Sequence, residues 1–471
     1  MAARWRQLGH SVQGHLVLPK DSGYRQARLT ENPRYDGSRP LAVLAVASAQ
    51  DIARAFTFAQ DNEIPIQMRS GGHSYTGWSS GGGGGTGQPA ALVLDCRGLN
   101  AVKLSGGSAT IGSGAPLAGV YQAIGSAGRA IPGGSCATVG IAGLTQGGGV
   151  GVLTRALGLT CDSVKSMQVV LADGSVVTAS ADEHDDLFWA LRGGGGGHLG
   201  MVTSFDFATV AAPTVNTFYL QWPIAAATQV IPAWQDWIDG ADPKLWSTLK
   251  GLGGSTHGSG AILACAGTWI GSSSGLGGQL GKLLAHTPRP AVNSTHTKSY
   301  LDAMRSYAGC ASLPASQCHT GPGGGLQREA FAATSHVGYH PLDAKGVQRI
   351  VQQVEAAPDA LVEAGLSMDA LGGKVAELAP DETAFVHRKA RITVQYTATY
   401  DAVGAASAAA DYVHGFRKAM TPSWGNAAYV NYIDSTISDY RSAYWGDNAP
   451  RLAKVRGTYD PHHFFQQPQD F

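Results

Sequence analysis

The chain crowds glycine into one part of its length. It holds 64 glycines in 471 residues, clustered between Gly71 and Gly200 with no period of three. Lacking that period, it cannot form a collagen-like rod. Glycine loses more backbone entropy on ordering than any other residue. It is used where φ is positive or where another backbone or a ligand must come close. Two stretches concentrate the feature. "RSGGHSYTGWSS", Arg69–Ser80, carries one imidazole, His73, and runs into five glycines, Gly81–Gly85. "IPGGSCATVGIAGLTQGGGVGVLTRALGLTCDSV", Ile131–Val164, carries two thiols, Cys136 and Cys161, and few charges. Taken alone, the first reads as a surface turn with a solvent-facing histidine. The second allows a packed glycine-rich turn, or a row of backbone amides that donate to a phosphate.

Around these loops, strand-like and helical pieces alternate, an α+β pattern. "LAVLAVAS" reads as a buried strand. "DIARAFTFAQDNE" then puts Ile52, Ala55, Phe56 and Ala59 on one helical face, with Ser48 and Asp51 as a capping box. "IPIQMR" is a strand leading into the His73 loop. "ALVLDC" and "ATIGSGA" follow as strands, and "LAGVYQAIGSAG" as a helix ended by glycine. "SMQVVLADGSVVTAS" predicts a hairpin turning at Asp173-Gly174, and "DDLFWALRGG" a short helix. The length predicts two domains. Glycine density falls after about residue 215, which places a boundary near "TVAAPTVN". From Asn426 a Tyr- and Asp-rich tail begins, suited to return to the first domain. The expected division is 1–212 (core about 39–210), 213–425, and the returning segment 426–471.

Lys+Arg and Asp+Glu are equal at 34 each, which leaves no electrostatic footprint for nucleic acid or a membrane surface. No run reaches the roughly 18–20 apolar residues of a membrane span. The N-terminus has no apolar leader region, so the expectation is an intracellular protein or one whose leader is absent. Six cysteines are too few for a disulfide scaffold, and none has zinc spacing; no metal is expected. Cys310 and Cys318 are either a small-loop disulfide or two free thiols. Gly195, Gly197 and Gly200 match G-x-G-x-x-G, but a helix precedes them and a strand follows. A nicotinamide site needs the reverse order, and is rejected.

"RSGGHS" followed by "GGSCATVGIAGLTQGGGVGVLTRALGLTCDSV" closely resembles the FAD-linked oxidases of the vanillyl-alcohol-oxidase type, in their berberine-bridge-enzyme-like branch. The likeness runs from Arg39 to Val210 and returns in the tail, from "AYVNYIDS" to "YDPHHFF"; "DALGGKV" and "AFVHRKA" match more loosely. The resemblance implies a two-domain flavoprotein with a sheet-based substrate domain. It implies FAD held by two covalent bonds, from His73 to the 8α-methyl carbon and from Cys136 to C6. Arg69, Ser70, Gly71, Gly72, Ser74, Gly140, Gly143, Gly148, Gly149, Gly151, Leu159, Asp162, Val202 and Asn431 would bind the cofactor. Val139 would gate dioxygen. Cys161 matches no linkage position and reads as a core thiol. Where the family often has lysine in "V-K-x-x-Y-D-P", this chain has Arg456, which puts a lysine-specific role in doubt.

The expected activity is removal of a hydride from an alcohol or hemiacetal carbon of a bulky sugar-like or natural-product substrate. Electrons would pass to dioxygen, giving hydrogen peroxide. An oxidative cyclase of the same family, and a carbohydrate-binding protein without flavin turnover, are the alternatives. Tyr432 is the candidate base. It needs its pKa lowered from about 10, for which Tyr429 would supply a hydrogen bond; Asp369 is a candidate helper. No protein partner is expected.

Overall fold

The computed structural model describes residues 2–84, 87–258 and 260–471, so Gly85, the last of the five-glycine run, lies outside the described residues. Among the described residues the first part holds two larger sheets and a two-stranded ribbon that pairs Arg129–Ala130 with Val210–Ala211. In the four-stranded one, His15–Val17, Ala42–Ala45, Leu92–Asp95 and Ile66–Arg69 lie in that order. The last three are mutually parallel, and parallel neighbours need a crossover. The Ala49–Asp61 helix lies between Ala42–Ala45 and Ile66–Arg69 in the chain and buries Ile52, Ala55, Phe56 and Ala59. Ser48 accepts from the Asp51 N–H as expected. The reciprocal half of the capping box is not made among the described residues. Asp51 instead accepts from the N–H groups of Ala47, Gln13 and Gly14 at 2.8–2.9 Å, because its buried carboxylate ties the N-terminal loop to the helix.

The second sheet has five antiparallel strands, in the order Val102–Ser105, Ser108–Gly112, Met201–Ala208, Val164–Val170 and Val176–Ser180. The hairpin between the last two turns as the sequence predicts. Leu171 donates to the Ser175 carbonyl at 2.9 Å and Gly174 adopts φ +82°.

Seven antiparallel strands between Thr214 and Tyr400 make the third sheet: Val292–Ser299, Thr214–Pro223, Ile262–Trp269, Leu245–Gly253, Glu363–Ala370, Ile392–Tyr400 and Ala330–Gly338, in that order. Its two faces follow from period-2 alternation. In "ITVQYTATY", Ile392, Val394, Tyr396, Ala398 and Tyr400 are buried. They join Trp222, Trp234, Leu249, Ile350, Val413 and Phe416 in a core shared with the helices Ala227–Asp239, Ala344–Glu355 and Ala406–Trp424. Gln395, Thr397 and Thr399 take the other face. None of the described helices is long and apolar enough to cross a membrane.

The chain's end folds back onto the first part. Phe464 and Phe465 meet Phe56 edge-on, with ring centroids 5.3 Å apart. Arg456 donates to the Phe465 carbonyl at 2.6 Å and pairs with Asp460 and Asp470. The cation at this position therefore anchors the tail.

A buried ion pair ties the glycine-rich segment to residues beyond the large sheet's fifth strand. Arg388 reaches both oxygens of Asp162 at 2.8 Å and Thr383 at 2.6 Å. The guanidinium is fully buried and the carboxylate 12% exposed. Removing one partner leaves an uncompensated buried charge, so Arg388→Ala is expected to lower stability by about 3–5 kcal/mol, read from urea unfolding. A loss below about 1 kcal/mol contradicts this account of the pair.

Candidate active site

A cavity of about 850 Å³ lies between the glycine-rich loops and the polar face of the seven-stranded sheet. Its floor is a backbone contact between two loops. A Cβ on Gly71 would meet the Gly140 amide nitrogen at 2.2 Å, and one on Gly140 would meet Ser70 Oγ at 2.0 Å. Only glycine permits that approach. Ser70 donates to the Ser113 carbonyl at 2.6 Å. Arg69, 1% exposed, turns inward to Asp95 at 2.8 Å and to the carbonyls of Ala27 and Arg28. Its side chain therefore holds the base of the loop. Gly72 is at φ +78°. Beyond Gly140, the helix Ile141–Gln146 presents Gly143, where a Cβ would meet no atom within 4 Å.

His73 and Cys136 both line this cavity. His73 Nε2 lies 2.8 Å from Thr138 Oγ1, and Nδ1 makes no hydrogen bond among the described residues. Burial pulls the imidazole pKa down to about 4, so the ring is neutral at neutral pH. Of the free cysteines, Cys96, Cys161 and Cys265 are buried and Cys136 is exposed. It is exposed into the concave cavity. The walls desolvate the thiol and raise its pKa, against a lowering hydrogen bond from Ser135.

Tyr432 lines the same cavity, stacked on Tyr75 with ring centroids 5.5 Å apart and planes 2° from parallel. Tyr429 meets Tyr432 edge-on at 5.0 Å. The expected hydrogen bond between their hydroxyls is absent among the described residues. Tyr429 Oη instead accepts from the Gly149 amide and from Asn431 Nδ2, each at 2.8 Å. It braces the loop behind the wall. The expected lowering of the Tyr432 pKa is also reversed. Burial raises it well above its ordinary value, and the neighbouring Asp369, Tyr75, Tyr429 and Cys136 add to the rise. Burial raises Asp369 as well, while Lys250 pulls it back. Asp369 pairs in register with Thr248 and Thr393 on the flanking strands.

Ser70, Gly71, Gly72, Ser74, Val139, Gly140, Gly143, Val202 and Asn431 line the cavity, and Arg69 borders it. Gly148, Gly149, Gly151, Leu159 and Asp162 lie behind its wall instead. Thr160 and Cys161 donate to the carbonyls of Gly149 and Gly148. A Cβ on Gly151 would strike the Gly133 carbonyl at 1.8 Å, and Asp162 is spent on Arg388. These residues pack the loop from the rear. Cys161 is fully buried. Asp434, two residues after Tyr432, turns away to Thr334 and Thr436. Cys310 and Cys318 form a disulfide, Cα–Cα 5.6 Å, packed against Ala137 beside Cys136. Sequence reasoning missed Tyr75, Thr138, Gln395 and Glu31, all on the cavity wall. The alternation of "ITVQYTATY", had its faces been assigned, is the signal that could have found Gln395. Tyr75 is two residues from His73; nothing in the sequence singled out Glu31.

The donor set fits a flavin. It offers an accessible thiol, a neutral imidazole with an open nitrogen, and side-chain-free backbone between them. Two family models match the chain: an FAD binding domain over residues 40–180, and a berberine and berberine-like domain over 428–470. The FAD-linked oxidoreductase YgaK of Bacillus subtilis is 31% identical over 468 residues, covering 97% of this chain and 96% of the relative. The chitooligosaccharide oxidase of Gibberella zeae is 29% identical, covering 98% and 94%. Among solved structures, a berberine-bridge-enzyme-like protein of Physcomitrella patens superposes with a TM-score of 0.89 at 26% identity, covering 99% and 98% of the two chains. The chain belongs to the FAD-linked oxidoreductases of the berberine-bridge-enzyme-like family. It is an FAD-dependent oxidoreductase with a mixed helix-and-sheet flavoprotein fold.

A thiolate is the reactive form of cysteine. In flavin-free protein an alkylating reagent is therefore expected to modify Cys136 first, as the exposed free thiol. Because burial raises the thiol pKa, the thiol stays mostly protonated near neutrality and the rate should climb about tenfold per pH unit there and keep rising above pH 8. A rate that levels off below pH 8 contradicts the desolvated thiol.

Proposed function

We propose that this protein is an oxidase that takes a hydride from an alcohol or hemiacetal carbon of a bulky, polyhydroxylated substrate and passes the electrons to dioxygen, releasing hydrogen peroxide. The observation that carries this reading is the meeting of His73, Cys136 and Tyr432 in one cavity. His73, through Nδ1, and Cys136, through Sγ, would hold FAD by two covalent bonds. The flavin then supplies a hydride acceptor and a route for electrons to dioxygen. The relatives named as oligosaccharide oxidases support a sugar-like substrate. So does the polar sheet face, where Gln395, Thr397, Thr399 and Glu363 line the cavity.

The substrate hydroxyl must lose its proton as the hydride leaves. A phenol with a raised pKa is a poor resting base, so Tyr432 would take up the hydroxyl proton only as the hydride leaves. Asp369, near enough for its charge to act on Tyr432, would be the helper, its own carboxyl held above the usual range by burial. Val139, half-buried on the same wall, would limit the access of dioxygen.

Acid-precipitated protein is expected to stay yellow. His73→Ala and Cys136→Ala should each retain FAD through the other bond, and only the double variant should release it; complete release from either single variant overturns the double tether. Peroxide should appear in step with oxidation across a panel of sugars and hydroxylated natural products. Flavin reduction without peroxide points to another electron acceptor. Tyr432→Phe should keep its flavin and slow single-turnover reduction by about 10²-fold or more. Reduction within a few fold of wild type removes Tyr432 from the proton path.

A further inference from the structure

His198 lines the cavity, and neither the expected cofactor contacts nor the proposed turnover uses it. It follows directly on the glycine run Gly193–Gly197, and its side chain is 5% exposed. Phe471 lies against the imidazole with centroids 4.4 Å apart, and Trp445 meets it edge-on at 6.1 Å. Nδ1 is 3.2 Å from Asp470 Oδ1. The other oxygen of that carboxylate pairs with the buried Arg456 guanidinium. A carboxylate kept ionised by an arginine only accepts, so Nδ1 carries a proton and donates it. Burial and the positive charge of Arg456 pull the imidazole pKa down to about 3, so the ring is neutral and has no second proton. Nε2 is left with a lone pair.

That lone pair is unspent. Nε2 makes no hydrogen bond among the described residues, and it is not enclosed by protein. It is turned toward Gly195, which also lines the cavity; a Cβ there would stand 3.7 Å from it. The backbone N–H groups of Gly196 and Gly197 are also without a partner among the described residues. Both residues line the cavity, and Gln467 Nε2 donates to the Gly197 carbonyl at 3.2 Å. Bare amides in a glycine loop suit a phosphate. A neutral imidazole lone pair does not; it takes the proton of a hydroxyl.

We propose that His198 is a cofactor-binding residue whose Nε2 accepts a hydrogen bond from a sugar hydroxyl of FAD, on the ribityl chain or on the ribose of the adenosine half. Asp470 and Arg456 are its positioning residues, and they act by fixing the tautomer. The proposal rests on the reading of this cavity as the seat of FAD. Arg456 also holds Asp460 and the Phe465 carbonyl, so the guanidinium that anchors the tail sets the proton on the imidazole as well.

The test uses the full chain carrying His73→Ala and Cys136→Ala, prepared without flavin, so that flavin binds reversibly. Dissociation constants for FAD and for FMN are read by fluorescence titration. In this parent, nitrogen-15 histidine spectra should show His198 Nε2 as an unprotonated ring nitrogen, and its signal should move when FAD is added. H198F keeps an aromatic ring between Phe471 and Trp445 but removes the acceptor. It should weaken FAD binding by at least about fivefold, the low end for leaving a hydrogen-bonding group unpaired. H198Q, whose amide oxygen can stand in for Nε2, should recover most of that loss. D470N, whose amide can donate to Nδ1, lets the proton move to Nε2 and should weaken FAD binding without touching the cofactor. Weakened FAD with unchanged FMN places the hydroxyl on the ribose, which FMN lacks; equal losses place it on the ribityl chain, and either result supports the assignment. H198F binding FAD within about twofold of the parent, or an Nε2 that is protonated or unmoved by FAD, overturns the His198 assignment alone. The spectrum of the parent decides the matter even if H198F does not fold. A parent that binds neither flavin overturns the reading of the cavity as the flavin seat, and the assignment with it.

Discussion

The contact between Gly71 and Gly140 is the constraint on which the site depends. Side chains at either position would collide with backbone or with Ser70 at about van der Waals overlap, so the two loops could not close. The second loop is further pinned by backbone hydrogen bonds. Leu117 and Ala118 donate to the carbonyls of Val139 and Ala137, and Ile141 donates to Ala115, at 2.9–3.0 Å. Cys136, Thr138 and Val139 thus inherit their places from a ladder, and His73 from a loop seated on it. The glycine density that marks the sequence is the entropic cost of this closure.

Desolvation then gives the cavity its chemical character. Burial lowers the imidazole of His73 and raises the thiol of Cys136, the phenol of Tyr432 and the carboxyls of Asp369 and Glu31. Each shift favours the neutral form. A site of this kind works by moving protons along hydrogen bonds more than by standing charge. Lasting charge is kept to pairs with structural tasks, such as Arg69–Asp95 under the His73 loop and Arg388–Asp162 behind the wall.

Residues far apart in the chain close the cavity from three directions. The large sheet contributes its polar face, because its opposite face is consumed by the helices. The disulfide loop packs on Ala137. The C-terminal segment brings Tyr429, Asn431 and Tyr432, and Asn431 Nδ2 donates to the Leu144 carbonyl at 2.9 Å. That single amide links the tail to the glycine-rich helix beside the cavity.

The sequence by itself determined the local elements and the reactive pair. Period and turn chemistry foretold the Ala49–Asp61 helix and the Asp173-Gly174 hairpin. The motifs around His73 and Cys136 were legible because reactive groups among glycines leave a composition that ordinary packing does not. Only the tertiary structure decided which glycines touch the cavity and which brace it from behind, since both kinds look alike in sequence. It decided that Tyr429 holds Gly149 and Asn431 rather than Tyr432, and that Asp51 caps two loops at once. It also brought Thr320 to the Glu31 carboxylate. The two lie almost three hundred residues apart, and no local pattern encodes a contact that chain topology alone creates.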